Sequence, residues 1–320
     1  MHDTGRRVSR RRSARRAIWG LLSAGAVGLC LLLAACGSSS GASSDATVSI
    51  VAAENEYGNV ASQIGGPYVK VSSVESNPNT DPHTYEVSPD VAREVSQAGL
   101  VIQNGVGYDD FMSRLESASS NSGRRVIDVQ HLLGLPDSTP NPHLWYDPAT
   151  MPKVAAAIAG DLSALEPAHA SYFRGRLATF KNGLKPWYAA IAAFKTDHPG
   201  TTAATTEPVA DYLLQAMGID NLTPFRFQAD IMNGNDPSPQ DVAQEDGFFT
   251  DHQVKVFCYN QQVVDSLTIS IRQHAQSARI PVVAVYETMP APGYNYQSWM
   301  LAETRAITAA VAGGTSTQHL

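Results

Sequence analysis

Two histidines of this chain follow proline in closely similar contexts, Asn79-Thr80-Asp81-Pro82-His83-Thr84-Tyr85-Glu86 and Asn141-Pro142-His143-Leu144-Trp145. The residue before each proline is held extended and does not continue a helix, so both imidazoles belong on turn-like segments, where functional side chains are commonly displayed. A shared metal ion explains the pair economically, but two ligands do not make a site. Open α/β sheets build their sites at the carboxyl ends of strands, so the remaining ligands are sought just past strand ends. Glu207 directly follows Ala203-Ala204-Thr205-Thr206, and Glu287 directly follows Val282-Val283-Ala284-Val285-Tyr286. His83 comes a few residues after a strand ending at Val74, and His143 lies in the segment after Val129. Two imidazoles and two carboxylates suit a first-row divalent ion.

Short β-branched runs alternate with helical periods along the chain, the pattern of parallel βαβ units. Strands are expected at Thr47 to Val51, Val69 to Val74, Leu100 to Gln103 and Arg125 to Val129, then at Thr202 to Thr206, Val254 to Tyr259 and Val282 to Tyr286. Helices are expected near Tyr57 to Ile64, Pro89 to Gln97 with Ser88 as its cap, Asp109 to Ala118 and Met151 to Leu165. In the second half they fall near Pro208 to Met217, Pro239 to Asp251, Asp265 to Ala278 and Tyr296 to Ala312. Between the halves, Tyr172, Phe173, Leu177, Phe180, Leu184, Trp187, Ile191 and Phe194 recur at helical spacing, predicting one long helix kinked by Pro186. The fold class is therefore α/β: two (βα) lobes with central, mostly parallel sheets, joined by one long backbone helix. Two ligands come from each half, which puts the metal in the interlobe cleft.

Seven arginines crowd the first sixteen residues, and an almost uncharged apolar run follows from Ala17 to Ala35. That is the n-region and h-region of a signal peptide. Leu33-Ala34-Ala35-Cys36-Gly37 resembles a bacterial lipobox, which makes Cys36 the lipidation site and anchors the protein to a membrane through acyl chains. The Ser- and Gly-rich stretch after it reads as a flexible tether. Residues 1–35 are then the lipoprotein signal peptide, 36–46 the lipidated cysteine and tether, 47–165 the N-terminal lobe, 166–197 the linking helix, 198–313 the C-terminal lobe and 314–320 a disordered tail. Removing residues 1–35 leaves 16 Lys and Arg against 29 Asp and Glu, a formal charge of −13, which argues against nucleic acid as a partner. Cys30 leaves with the signal and Cys36 is lipidated, so Cys258 has nothing to pair with and no intramolecular disulfide is expected.

The succession Asp81-Pro82-His83-Thr84-Tyr85-Glu86, Ser88-Pro89-Asp90, Asn104-Gly105, Asn141-Pro142-His143-Leu144-Trp145 and Asp147-Pro148 resembles the cluster A-I, or zinc and manganese, family of ABC-transporter solute-binding lipoproteins, over about Val48 to Ala312. The resemblance implies that His83, His143, Glu207 and Glu287 bind a divalent transition metal as cargo, Mn2+ or Zn2+ with iron as a further candidate. It further implies an extracytoplasmic, lipid-anchored monomer that delivers the ion to an ABC permease driven by a separate ATPase. Glutamate at 207 is more typical of the manganese and iron binders among such proteins, and the His-rich loop of many zinc importers is missing between His83 and His143, an interval that holds only His131. Zinc still outcompetes manganese at most N/O sites. A zinc hydrolase is the rival from the enzyme class, but the chain has no His-Glu-x-x-His, so no enzyme activity is expected. A surface adhesin is a third reading, because some members of that family were first described as adhesins.

Overall fold

The computed structural model describes residues 47–79 and 87–320. The first sheet holds β1 (Val48–Glu54), β2 (Val69–Glu75), β3 (Leu100–Gln103) and β4 (Arg125–Asp128), all parallel, in the order β2-β1-β3-β4. Because side chains alternate along a strand, Ile50, Ala52, Leu100 and Ile102 enter one core while Val51, Ala53 and Val101 enter another on the opposite face. The second sheet holds β5 (Thr202–Thr205), β6 (Asp220–Asn221), β7 (Val256–Asn260) and β8 (Val282–Val285), again parallel, in the order β6-β5-β7-β8. Burial on both faces is why these strands read as apolar runs.

In chain order the helices are α1 (Asn55–Gly65), α2 (Pro89–Gln97), α3 (Asp110–Ala118), α4 (Val129–Leu133), α5 (Thr150–Leu165), α6 (Ala170–Gly183), α7 (Lys185–Asp197), α8 (Asp211–Met217), α9 (Phe225–Met232), α10 (Pro239–Thr250), α11 (Ser266–Ser277) and α12 (Tyr296–Gly313). Helices α2 and α3 cover the outer face of the first sheet; α9, α10 and α11 cover that of the second. The inner faces of both sheets and α1, α5, α6, α7, α8 and α12 share a single apolar core. Local signals set the helix starts. Ser88 accepts from Val91 N–H with Pro89 next in line, and capping boxes open α11 (Asp265 with Thr268) and α12 (Asn295 with Ser298). At the end of α1, Gly66 adopts φ 55°, and a Cβ there would come within 2.0 Å of the Tyr172 hydroxyl on α6.

The long linking helix is bent rather than continuous. After a 3-10 turn at Pro167–His169 it runs as α6, tightens at Leu184 and resumes as α7. Pro186 has no N–H to give to the preceding turn, and Leu184 N–H bonds instead to Lys181 O at 3.3 Å. The buried stripe Phe173, Phe180, Leu184, Trp187, Ile191 and Phe194 crosses the bend unbroken. Helix α6 packs on α1 and α5, and α7 on α8 and α12, so each half of the bent helix serves one lobe.

The structure corrects the expected disordered tail. Thr317 pairs in parallel with Val283: its N–H donates to Val282 O at 2.9 Å and its carbonyl accepts from Ala284 N–H at 2.7 Å. Leu320 N–H reaches the Tyr286 hydroxyl at 3.0 Å. A further difference lies at Pro208, where a helix was expected to start. Pro208 O instead accepts from the Asn141 side chain, and α8 begins at Asp211. Among the described residues no helix is long and apolar enough to cross a membrane.

Candidate metal centre

His143 stands at the entry to a 3-10 turn, Leu144–Tyr146, and is fully buried. Asn141 fixes its ring. The Asn141 Nδ2 donates to Pro208 O at 2.7 Å, so its Oδ1 is the group that meets His143 N–H at 3.0 Å and His143 Nδ1 at 2.8 Å. An amide oxygen only accepts, so Nδ1 carries the proton and Nε2 is the nitrogen aimed across the cleft. It faces Glu287 Oε2 at 3.2 Å. The turn is also held from below, where Asn104 Nδ2 donates to Pro142 O at 2.8 Å and Asn104 Oδ1 accepts from Tyr57 OH at 2.6 Å. Asn104 and Gly105 are pinned in turn by the Asp109 carboxylate, which accepts both backbone N–H groups at 2.6 and 2.8 Å.

Glu207 and Glu287 each lie two residues past a strand of the second sheet, β5 and β8, and both are buried. Between those strands, β7 ends on Asn260. Its Nδ2 donates to Glu207 Oε1 at 3.0 Å and to Glu287 Oε1 at 2.7 Å. The amide cannot be turned over, since Asn260 Oδ1 accepts from Gln262 N–H at 3.0 Å. Gln262 Oε1 clasps the backbone N–H groups of Glu287 and Thr288 at 2.7 and 2.8 Å, and Tyr108 OH donates to Glu287 Oε2 at 2.9 Å. The structure thus pairs His143 directly with Glu287, and links Glu207 to Glu287 through the Asn260 amide. His83 and Cys36 lie outside the described residues. Among the described residues, no group of three or more His, Cys, Asp or Glu side chains is gathered closely enough to hold an ion unaided.

The two lobes meet in many places around these residues. Asn55 exchanges two hydrogen bonds with the backbone of Met289, at 2.9 and 3.0 Å. Tyr146 OH donates to Tyr286 O at 2.8 Å, Tyr212 OH to Asn141 O at 2.9 Å and Tyr296 OH to Trp145 O at 2.6 Å. A cleft of about 350 Å³, lined by Val106, Tyr108, Pro142, Phe225 and Met232 among others, runs up to Tyr108 from the surface. Asn260, Tyr108 and Gln262 escaped the reading of the sequence because that search was confined to His, Asp, Glu and Cys. The usable signal for Asn260 was its position, ending an apolar strand as Glu207 and Glu287 follow theirs.

Four further acids sit at the carboxyl edge of the first sheet. Glu54 ends β1, Glu75 ends β2, and Glu56 and Asp109 lie beside them, all buried. Burial raises the Glu54 pKa well above the carboxylate range, and the charges of Asp109, Glu75 and Glu56 push it the same way. Glu56 is raised chiefly by burial, and Asp109 is lifted by burial to about 6.

The family model for the zinc-uptake complex component A, periplasmic (ZnuA), matches residues 50–310. The manganese-binding lipoprotein MntA of Bacillus subtilis is 27% identical over 160 residues, 48% of this chain and 52% of that protein, so the chain spans about half the length of this relative. Among solved structures, the binding protein FpvC of Pseudomonas aeruginosa in complex with Mn2+ superposes with TM-score 0.69 at 20% identity, covering 83% of this chain and 98% of that one. The periplasmic zinc-binding protein TroA of Treponema pallidum gives 0.68 at 18% identity, covering 84% and 99%. The fold of two parallel-sheet α/β lobes on a long bent helix is the one these structures share, and with most of its length matched by the family model the chain belongs to the ZnuA family of metal-transporter substrate-binding proteins.

Proposed function

We propose that this chain is the extracytoplasmic solute-binding component of an ABC importer, capturing a divalent transition metal, zinc or manganese, and passing it to a membrane permease coupled to a separate ATPase. The observation that carries this reading is the pairing of His143 Nε2 with Glu287 Oε2 at 3.2 Å across the two lobes, with Glu207 joined to the same carboxylate through Asn260. An imidazole nitrogen and buried carboxylates converging from opposite lobes form a closing grip on a cation. His83 is the proposed fourth ligand. In this reading the ion is cargo and the protein is not an enzyme, since members of the family are substrate-binding proteins. Cys36 carries the lipid that holds an otherwise soluble monomer at the membrane.

Metal-free protein titrated calorimetrically with Zn2+ and Mn2+ tests the assignment. One ion per chain is expected, with His83→Ala, His143→Ala, Glu207→Ala and Glu287→Ala each weakening binding. Near-native affinity in both histidine variants would sink the reading. Cys36→Ala is expected to abolish acyl labelling and release the protein from the membrane fraction while leaving affinity unchanged.

A further inference from the structure

Glu303, on α12, is a fully buried acid that lies outside the ligand set. Its Oε1 accepts from Trp299 Nε1 at 2.8 Å, and its Oε2 meets no donor among the described residues. Beyond Trp299, the groups that bear on it are the Tyr146 hydroxyl and the Tyr286 backbone. That hydroxyl is already committed, since it donates to Tyr286 O at 2.8 Å and accepts from Tyr286 N–H at 3.3 Å. A hydroxyl has one hydrogen to give, so a bond between Tyr146 and Glu303 in this arrangement takes its hydrogen from the acid. The Tyr146–Tyr286 pair joins the 3-10 turn entered at His143 to the residue immediately before Glu287. Resting on the reading of His143 and Glu287 as metal ligands, we propose that Glu303 is a positioning residue: as a neutral acid it donates to Tyr146, leaves that hydroxyl on Tyr286, and so fixes from behind the approach of His143 to Glu287. Ionised Glu303 would act in the opposite sense. A buried carboxylate holds a hydroxyl more strongly than a carbonyl does, so the Tyr146 hydrogen would turn to it and release Tyr286 O. From the elements packed on α12, Glu303 is faced by Cys258 on β7, by Tyr286 after β8 and, beyond Tyr146, by Glu56 on α1, while α7 presents Trp187, bonded to Thr304. None of these is a cation. Burial lifts the Glu303 pKa to about 8, so the clasp holds at neutral pH and loosens above it.

Glutamine mimics the neutral acid, with an amide hydrogen for Tyr146 and an oxygen for Trp299 Nε1. Carbon-13 NMR of the glutamate carboxyls in metal-free protein reads the proton directly, the Glu303 signal being the one missing from Glu303→Gln. A neutral-acid shift is expected at about pH 6, giving way to the ionised shift by about pH 9. All glutamate carboxyls ionised at about pH 6 in the wild type overturns the proposal without any variant, so a misfolded variant does not protect it. Zinc affinity measured by chelator competition over the same range supplies the second readout. Wild type and Glu303→Gln are expected to agree at about pH 6 and to part above about pH 8, where the wild type should bind about tenfold more weakly than the glutamine variant, the size of effect seen for residues that orient ligands. In a Tyr146→Phe background that difference should vanish. Affinities of wild type and Glu303→Gln that run together across the whole range overturn the proposal, reducing Glu303 to core packing. Wild-type protein that binds no zinc at about pH 6 overturns the transport reading itself, a result separate from the carboxyl signal.

Discussion

At the carboxyl edge of the first sheet, Glu54 and Glu75 close β1 and β2; at the same edge of the second sheet, Glu207 and Glu287 follow β5 and β8. Both sets are buried, and they resolve the cost of burying an acid in opposite ways. Neither oxygen of Glu54 accepts from an N–H or hydroxyl among the described residues, and its hydrogen-bonding neighbour is the carboxyl of Asp109. Surrounded by like groups, it is driven to keep its proton. Glu207 and Glu287 instead receive the Asn260 amide, and Glu287 also receives Tyr108 and faces His143. Position at a strand end therefore does not by itself decide an acid's surroundings: Glu54 meets like groups, whereas Glu207 and Glu287 meet an amide donor, and Glu287 a hydroxyl and an imidazole as well.

The sharpest way to break this contrast is substitution on each side. His143→Ala or Glu287→Ala is expected to weaken zinc binding by more than about 100-fold, beyond what loss of an orienting residue costs. Glu54→Gln should stay within about threefold of wild type. Chelator competition measures both, and a Glu54 variant as damaged as the His143 variant would merge the two edges into one site. Next in size is the stabilisation by metal itself. Ligation selective for the folded state adds RT ln(1 + [L]/Kd), about 4 kcal/mol at a thousandfold excess over Kd. Calorimetric melting with and without zinc should register it in wild type and in Glu54→Gln, and lose most of it in Glu287→Ala.

A smaller effect separates the edges by pH. Asp109 is raised from 3.8 to about 6, Glu54 is raised by burial and by the neighbouring acids, and Glu303 on α12, buried against Trp299 Nε1, is raised from 4.5 to about 8. A carboxyl with a raised folded pKa holds more protons folded than unfolded between the two values, so its contribution is whole below about pH 4 and is lost as pH rises through the folded value. Metal-free protein should accordingly lose stability from about pH 4 to pH 8, as read by urea melts. Glu303→Gln should recover roughly 1 to 3 kcal/mol of this at pH 8. A flat profile in wild type would place charge, rather than protons, on these acids. The smallest expected signal is at Cys258, on β7 two residues before Asn260, where burial pushes the thiol pKa up. Labelling of the native protein should be slow, slower still with zinc bound, and reducing agent should leave the melting temperature unchanged. Rapid labelling would mean that the Asn260 edge opens readily.

Much of the frame was legible in the sequence because the buried parallel strands are apolar runs and several helices carry their caps in plain view, as at Ser88 and Asp265. What escaped was short or settled from a distance. Strand β6 is only Asp220–Asn221, too brief and polar for any periodicity, and α9 lies between Pro224 and an Asn-Gly turn that reads as loop. At the site, the Asn-Pro-His context pointed to His143, and strand-end position to Glu207 and Glu287. The link among them was not visible, because Asn260 stands 53 residues from Glu207 and 27 from Glu287, and only the strand order β5-β7-β8 sets it between them.

The pairing of Thr317 with β8 has a consequence for solubility. β8 is the last strand of its sheet, and an uncovered outer strand is a template on which another molecule can extend the ladder. Residues 316 and 317 occupy the N–H and carbonyl of Val282 and the N–H of Ala284 along that flank. A chain shortened after Gly314 would keep both sheets yet leave this flank of Val282 to Val285 uncovered, so residues 316 and 317 shield β8 from pairing with a neighbour.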